Sequence, residues 1–328
     1  MIEEGGRRWQ LQRLPFFLPA AKLPIALLTA VGVVGIYLLT KALFSGRIAF
    51  LSAILIAIDP LYLAHSRVLH LDALTTTFMT LSLLSFLAYL TRRRSAAYLF
   101  LSGGTAGLAF LTKSPSLYLI PFVGLLFATC CIRSRSLRKV VSQWLLPFAL
   151  WGTIAALVFF ALWPAMWVDP LGSLQGVLAS AIRSAGTPHE NLNFFLGQVR
   201  PDPGPWFYPF ALLFRITPLA MLGVVASIPL LFRGKREQRM ALMSLLTYIL
   251  LFSGFMSMGA KKFDCYLLPI FPLVDIMAAA GLWATVEAMG FKWGDRWRRW
   301  AIVGLALATI LQAGKEPPWE TGSFWSRG

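Results

Sequence analysis

Residues 24–44 read PIALLTAVGVVGIYLLTKALF, and Lys41 is their only charge. About 20 apolar residues in a row suffice for a helix to cross the hydrocarbon of a bilayer. Similar blocks follow at 48–64, 73–90, 97–111, 117–132, 144–163, 208–232, 240–258, 266–289 and 301–313. No ten-residue segment alternates with period two, which argues against a transmembrane β-barrel. Hydrophobic residues are 57% of the 328 and charged residues 13%, where a soluble domain carries roughly a quarter charged. The sequence therefore predicts an all-α polytopic membrane protein of about ten transmembrane helices and one long outer loop, placed in the cell (plasma) membrane.

The net charge of +16 would suit nucleic acid if it were spread over one face. Its distribution excludes that class. Arg92, Arg93 and Arg94 form one cluster; Arg133, Arg135, Arg138 and Lys139 a second; Arg233, Lys235, Arg236 and Arg239 a third; Lys292, Arg296, Arg298 and Arg299 a fourth. All four fall in breaks between apolar blocks, at every second break, and Lys41 with Arg47 marks a fifth turn of the same kind. Basic residues gather in loops that stay in the cytoplasm, so these turns are expected inside, where they also meet anionic lipids. The three cysteines, Cys130, Cys131 and Cys265, have no spacing that resembles a metal site or a disulfide framework, so no metal ligand is assigned and the need for a divalent metal stays open.

The same alternation puts both termini outside. Residues 1–23 then form an outer amino-terminal segment, 24–313 the transmembrane domain with its outer loop at about 164–207, and 314–328 a short outer tail. Arg7, Arg8, Arg13 and Lys22 would lie on the translocated side with no apolar signal segment before them. The expectation that follows is an upstream helix, with the sequence beginning partway through its gene.

The polar chemistry falls at the outer breaks. Asp59 to Asp72 holds two carboxylates, two imidazoles and a guanidinium, and ionisable groups near a membrane core point to function by default. On a helix Arg67 and His70 would share a face, with Asp72 at the mouth of the next span; the structural alternative is that Arg67 pairs with Asp59 or Asp72 to seat the helices. Thr112-Lys113-Ser114-Pro115 offers a charge and hydroxyls to a phosphate, or a lysine that merely snorkels. The long loop brings His189, Glu190, Asn191, Arg200 and Asp202 beside Trp206, Phe207 and Tyr208, a mixture suited to sugar or acceptor recognition. Leu171–Ile182 reads as an amphipathic helix on the membrane surface. Arg215 is expected about two turns inside the next span, paired with a phosphate or a carboxylate. Lys261, Lys262 and Tyr266 stand beside a proline-broken helix, where paired lysines run against the positive-inside tendency and suit a lipid phosphate. Walker, Rossmann, zincin and nucleophile-elbow motifs are absent.

Several of these pieces together resemble the integral-membrane C-type (GT-C) glycosyltransferases, in particular the dolichyl-phosphate-mannose–protein mannosyltransferase and lipid A aminoarabinose transferase relatives of bacteria. They are Ile58-Asp59-Pro60 with His65-Ser66-Arg67 and His70-Leu71-Asp72, Gly107 to Pro115, Asn193 to Gln198, Phe207 to Pro218, and Lys261 to Pro269. The resemblance spans about 23 to 282. It implies a helical bundle of that type, incomplete at its amino end, that moves a sugar from a polyprenyl-phosphate carrier to a protein, lipid or glycan acceptor on the outer face. It also implies inversion at the anomeric carbon, a carboxylate base activating the acceptor and cations stabilising the departing phosphate. Lys261, Lys262, Tyr266, Lys113 and Arg215 are the expected phosphate holders; Asp72, Arg67 and His70 are accessory candidates; His189, Glu190 and Asp202 belong to the sugar or acceptor loop. The base of such relatives lies in a first outer loop that has no counterpart here, and Glu3 and Glu4 do not match its motif. Two other classes fit the composition: a non-catalytic membrane scaffold, and a lipid or sugar transporter, which would show inverted repeats.

Overall fold

The computed structural model describes residues 2–92, 94–132, 137–187 and 193–313. It is a helical bundle. Helix α1 runs Ile2–Leu43, and its 20–43 part is long and apolar enough to span a membrane. Then come α2 (Gly46–Ile58), α3 (Pro60–Ser66), α4 (Asp72–Thr91), α5 (Ala96–Thr112), a 3₁₀ turn at Ser114–Tyr118 and α6 (Leu119–Ile132). After α7 (Leu137–Val140) and a π-turn, α8 (Leu146–Leu162) leads to the short α9 (Ala165–Val168) and to α10 (Pro170–Gly186). A hairpin of β1 (Asn193–Phe195) and β2 (Gln198–Arg200) precedes α11 (Phe207–Arg215), α12 (Pro218–Arg233) and α13 (Arg236–Ser257). A 3₁₀ segment at Asp264–Ile270 runs into α14 (Phe271–Trp293), and α15 (Asp295–Ala313) ends the described chain.

Four helices are long and apolar enough to cross a membrane alone, and up to six spans result if two bent pairs count as one each. The protein is thus a membrane protein, but the expected count of ten is not matched by single helices among the described residues. Three of the expected spans are helices of 10–17 residues, and two more are broken. The breaks share one chemistry. Asp59, Asp169 and Thr217 each precede a proline and accept a backbone N–H three residues on, from Tyr62, Gly172 and Ala220. A cap oxygen plus a proline at the first helical position starts a helix, and proline disfavours helix in the residue before it. The chain therefore turns by 62° between α2 and α3 and by 107° between α11 and α12. The expected single span 208–232 is in fact that second bent pair.

Packing follows the rules of apolar solvent, in which small residues and interhelical hydrogen bonds replace the hydrophobic drive. Ser82 and Ser102 donate to each other's carbonyls at 2.9 and 2.8 Å, tying α4 to α5, and Trp151 of α8 donates to Ser102 Oγ at 3.0 Å. Where α12 crosses α14, a Cβ on Gly281 would stand 2.0 Å from the Gly223 carbonyl, so only glycine allows that approach. Phe50, Leu157, Leu222 and Leu250 remain on the outside, as a lipid-facing surface requires.

The directions of the helices sort the turns into two groups. Breaks at 59–72, 113–118, 202–217 and 259–270 meet at one end. Arg92, Arg94, Arg233, Lys235, Arg236, Arg239 and Lys292 lie at the opposite end, where Arg92 donates to the Ala42 carbonyl at 2.6 Å and Arg94 stands 4.1 Å from the Trp144 ring.

Candidate functional site

The site begins at the α2–α3 break. Asp59 is buried and spends its Oδ1 on the Tyr62 amide at 2.7 Å, so its role is that of a cap. Helix α3 stops at Ser66, and residues 67–71 form an irregular turn. Arg67 and His70, expected to share a helix face, therefore do not. Arg67 lines a cavity of about 400 Å³ with Thr29, Tyr62 and Ser66.

Asp72 occupies the first turn of α4, where the helix dipole favours a negative charge. It is 5% exposed. The Lys113 ammonium donates to its Oδ1. His70 Nδ1 lies 2.8 Å from Oδ2 but off the hydrogen-bond direction, leaving Oδ2 a buried acceptor without a hydrogen bond. The partner of Asp72 is thus Lys113, not the Arg67 of the structural alternative. Lys113 ends α5 in extended conformation, and its charge also stands 4.6 Å from the centre of the Tyr266 ring.

The other expected cations are likewise placed by carboxylates. Lys262 is 2% exposed and donates to Asp202 at 2.8 Å and to the Gly259 carbonyl at 2.7 Å. Partial burial pushes the Asp202 carboxyl up, but Lys262 and the Gly204 N–H outweigh it and hold the group below the ordinary carboxylate value. Arg215 pairs with Asp264. It lies at the end of α11, at the 107° bend, and not two turns inside a span. Lys261 differs from these three: it is half-buried and has no ion pair among the described residues.

Lys113, Lys261 and Tyr266 line a common cavity of about 530 Å³. Ser114 adds a hydroxyl beside Lys113, and Phe255, Met256 and Met258 of the α13 end make one wall apolar. Ala181, Ile182 and Ser184–Gly186 of α10 form the opposite wall. Helix α10 was expected as an amphipathic surface helix over 171–182; it is a helix, and the Ala260 amide ties it to the site by donating to the Ala185 carbonyl at 2.9 Å. An amphipathic ligand with one anionic end fits this mixture of cations and apolar wall. His189, Glu190 and Asn191 lie outside the described residues, and Arg200 is exposed on β2.

One grouping and one residue were not singled out from sequence. His65, Asp72 and Cys265 offer ligand atoms all within 4.8 Å of one another, a set able to hold a metal. His65 Nδ1 lies 2.9 Å from the Leu61 carbonyl, which draws the ring proton there and leaves Nε2 as the ligating nitrogen. Lys113 already occupies the other side of Asp72 and would oppose a cation. Only the fold joins residues two hundred positions apart, so no spacing announces this cluster. Asp275 is different. It is buried in α14, its Oδ2 has no hydrogen bond, and it interacts with the charge of Asp59. An ionisable residue inside an apolar block was a readable signal.

Comparison with known proteins agrees with this architecture. The family described as dolichyl-phosphate-mannose-protein mannosyltransferase matches residues 18–167. Sequence comparison with curated proteins gives no match. Among solved structures, ArnT from Cupriavidus metallidurans, bound to undecaprenyl phosphate, is similar with a TM-score of 0.62 and 15% identity over 89% of this chain and 49% of that one. The Archaeoglobus fulgidus oligosaccharyltransferase, tethered to an acceptor peptide, gives 0.55 and 17% over 89% and 43%. The archaeal oligosaccharyltransferase AglB from the same organism, in complex with an inhibitory peptide and a dolichol-phosphate, gives 0.53 and 16% over 86% and 42%. The chain has the fold of the C-type membrane glycosyltransferases and spans about half the length of the structures it matches.

Proposed function

We propose that this chain is a membrane glycosyltransferase that takes its sugar from a polyprenyl-phosphate carrier, with the carrier's phosphate held in the Lys113–Lys261–Tyr266 cavity. One observation carries the reading: Lys261 is a half-buried cation without a carboxylate partner among the described residues, on a cavity that also has an apolar wall. The family match and the shared fold support it, since ArnT is bound to undecaprenyl phosphate and AglB to a dolichol-phosphate.

The chemistry follows from charge. An acceptor hydroxyl, giving its proton to a carboxylate base, attacks the anomeric carbon, the bond from that carbon to the phosphate oxygen breaks with its electron pair leaving on the phosphate, and the sugar inverts. Negative charge grows on the leaving phosphate, and fixed cations aimed at it lower the barrier. Lys261 supplies that charge without a counter-ion among the described residues, Lys113 supplies a charge it shares with Asp72, and Tyr266 adds a hydroxyl. Lys262 and Arg215, neutralised by Asp202 and Asp264, hold the loop that carries Lys261 and Tyr266. Asp72, with His70 beside it, acts through Lys113, which it positions, and Asp202 positions Lys262 from the acceptor loop. On this reading the site faces outward and the basic clusters face the cytoplasm, with residues 24–313 as the transmembrane domain. A scaffold would need neither the open lysine nor the cavity.

The test is donor binding and turnover in nanodiscs. A charge-assisted contact contributes about 1.5–3 kcal/mol, so Lys261→Ala should weaken binding of a polyprenyl-phosphate sugar roughly ten- to hundredfold. Lys261→Arg should retain most of it. Binding by Lys261→Ala equal to that of the parent places the phosphate elsewhere.

A further inference from the structure

The opposite end of the bundle holds a second cavity, of about 640 Å³, that the transfer reaction does not use. Helices α1, α2, α14 and α15 enclose it. Its charged lining is Lys41 and Arg47, on either side of the α1–α2 turn, with Tyr37, Trp283 and Thr309 as the other polar groups. Below them Phe50, Ile54 and Ile310 make apolar walls; Phe50 is 62% and Ile310 65% exposed. From Arg47 to Ile54 the wall continues for about 10 Å along α2, at 1.5 Å per residue. That is room for the upper part of an acyl chain.

The two cations are what decide the occupant. Lys41 and Arg47 form no ion pair among the described residues, whereas Lys113, Arg215 and Lys262 each hold a carboxylate. Arg47 instead stands 5.4 Å from the centre of the Trp283 ring, which leaves its guanidinium hydrogen bonds available. The nearby carboxylate of Glu287 accepts the Trp283 indole N–H at 2.7 Å and does not pair with either cation. Two uncompensated positive charges at the rim of an apolar groove, on helices that span a membrane, complement an amphipathic molecule with a negative head. We propose that this cavity binds an anionic phospholipid, its phosphate on Lys41 and Arg47 and one acyl chain along Phe50, Ile54 and Ile310. The bound lipid fills the gap between α15 and the α1–α2 pair. The proposal does not depend on the transfer reaction.

The purified chain in neutral detergent would be titrated with phosphatidylglycerol and phosphatidylcholine carrying identical brominated chains, following tryptophan quenching. Saturable quenching is expected, several-fold tighter for phosphatidylglycerol, and Trp283→Phe should remove much of its amplitude. Lys41→Gln with Arg47→Gln should erase that preference, weakening phosphatidylglycerol about tenfold. Lys235→Gln with Arg239→Gln removes the same charge from the same end and should keep it. Inorganic phosphate at millimolar concentration should displace nothing. Equal affinity for the two lipids, equal losses in the two double variants, unchanged amplitude in Trp283→Phe, or displacement by inorganic phosphate each overturns the proposal. Circular dichroism of every variant guards against unfolding as the cause.

Discussion

The two ends of this bundle treat charge in opposite ways. At the site end, cations are fixed singly: Lys113 on Asp72, Arg215 on Asp264, Lys262 on Asp202. At the opposite end, arginines and lysines outnumber carboxylates, and their contacts among the described residues include rings, the Ala42 carbonyl and a neighbour three residues away, as Arg298 to Asp295 at 3.2 Å. A charge near apolar surroundings is costly unless paired, and its pairing fixes its position. An excess of cations in short turns instead orients a membrane protein without needing any fixed geometry. The difference teaches where position matters. Ion-paired geometry is built at one end; at the other, net charge is held, and Lys41 with Arg47 is left to a ligand rather than to a carboxylate.

Breaking a pair at the site end should have the largest effect. Asp72→Asn leaves Lys113, with 24% of its side chain exposed, without its counter-charge. The expected loss is about 2–3 kcal/mol of stability, toward the low end for a buried pair because Lys113 keeps some access to solvent. Chemical denaturation in detergent measures it, and adding Lys113→Gln should restore part of the loss, as coupled sites do. A loss in the double variant equal to the sum of the two single losses would mean that the pair is not a unit.

Lys262→Ala comes next, at about 1–2 kcal/mol, since a hydrogen bond to a charged group is worth somewhat more than that when both partners are buried and Asp202 is not. The acid dependence carries the sign. Asp202 titrates below its ordinary value, so the pair's contribution is whole above the ordinary carboxylate range. It is lost as pH falls through the lowered folded value. The gap between parent and Lys262→Ala should therefore narrow as pH falls, down to the part carried by the Gly259 carbonyl bond; a gap that does not narrow in acid contradicts the pairing.

The smallest effect belongs to the opposite end. Arg236→Gln with Arg239→Gln should change stability by no more than about 0.5 kcal/mol, as surface substitutions usually do. A loss as large as that of Asp72→Asn would dissolve the distinction between the ends.

The sequence shows much of this and hides a definite part. Apolar blocks and basic turns made the helical membrane architecture legible, because span length and charge asymmetry are local properties. The cap–proline pairs at Asp59, Asp169 and Thr217 were equally visible, yet 208–232 was read as one straight span, because hydropathy carries no angle. Lys113, Lys261 and Tyr266 stood out as charges or hydroxyls in unexpected places. Their convergence was expected only through the family resemblance, and the identity of the carboxylate that each neighbouring cation takes was not legible, because Asp202–Lys262 and Arg215–Asp264 join residues about fifty or sixty positions apart. Cys265 looked inert for the same reason: His65 and Asp72 reach it only through the fold.

The most direct test of the central claim is a map of where a polyprenyl phosphate lies. A carrier with a photoreactive group next to its phosphate would be irradiated with the protein in nanodiscs, and the labelled peptides sequenced. Labels on 113–118, 181–186 and 255–266, reduced in Lys261→Ala, are the predicted result. Labels confined to the Lys41–Arg47 end, or spread over lipid-facing helices and indifferent to Lys261, would contradict it.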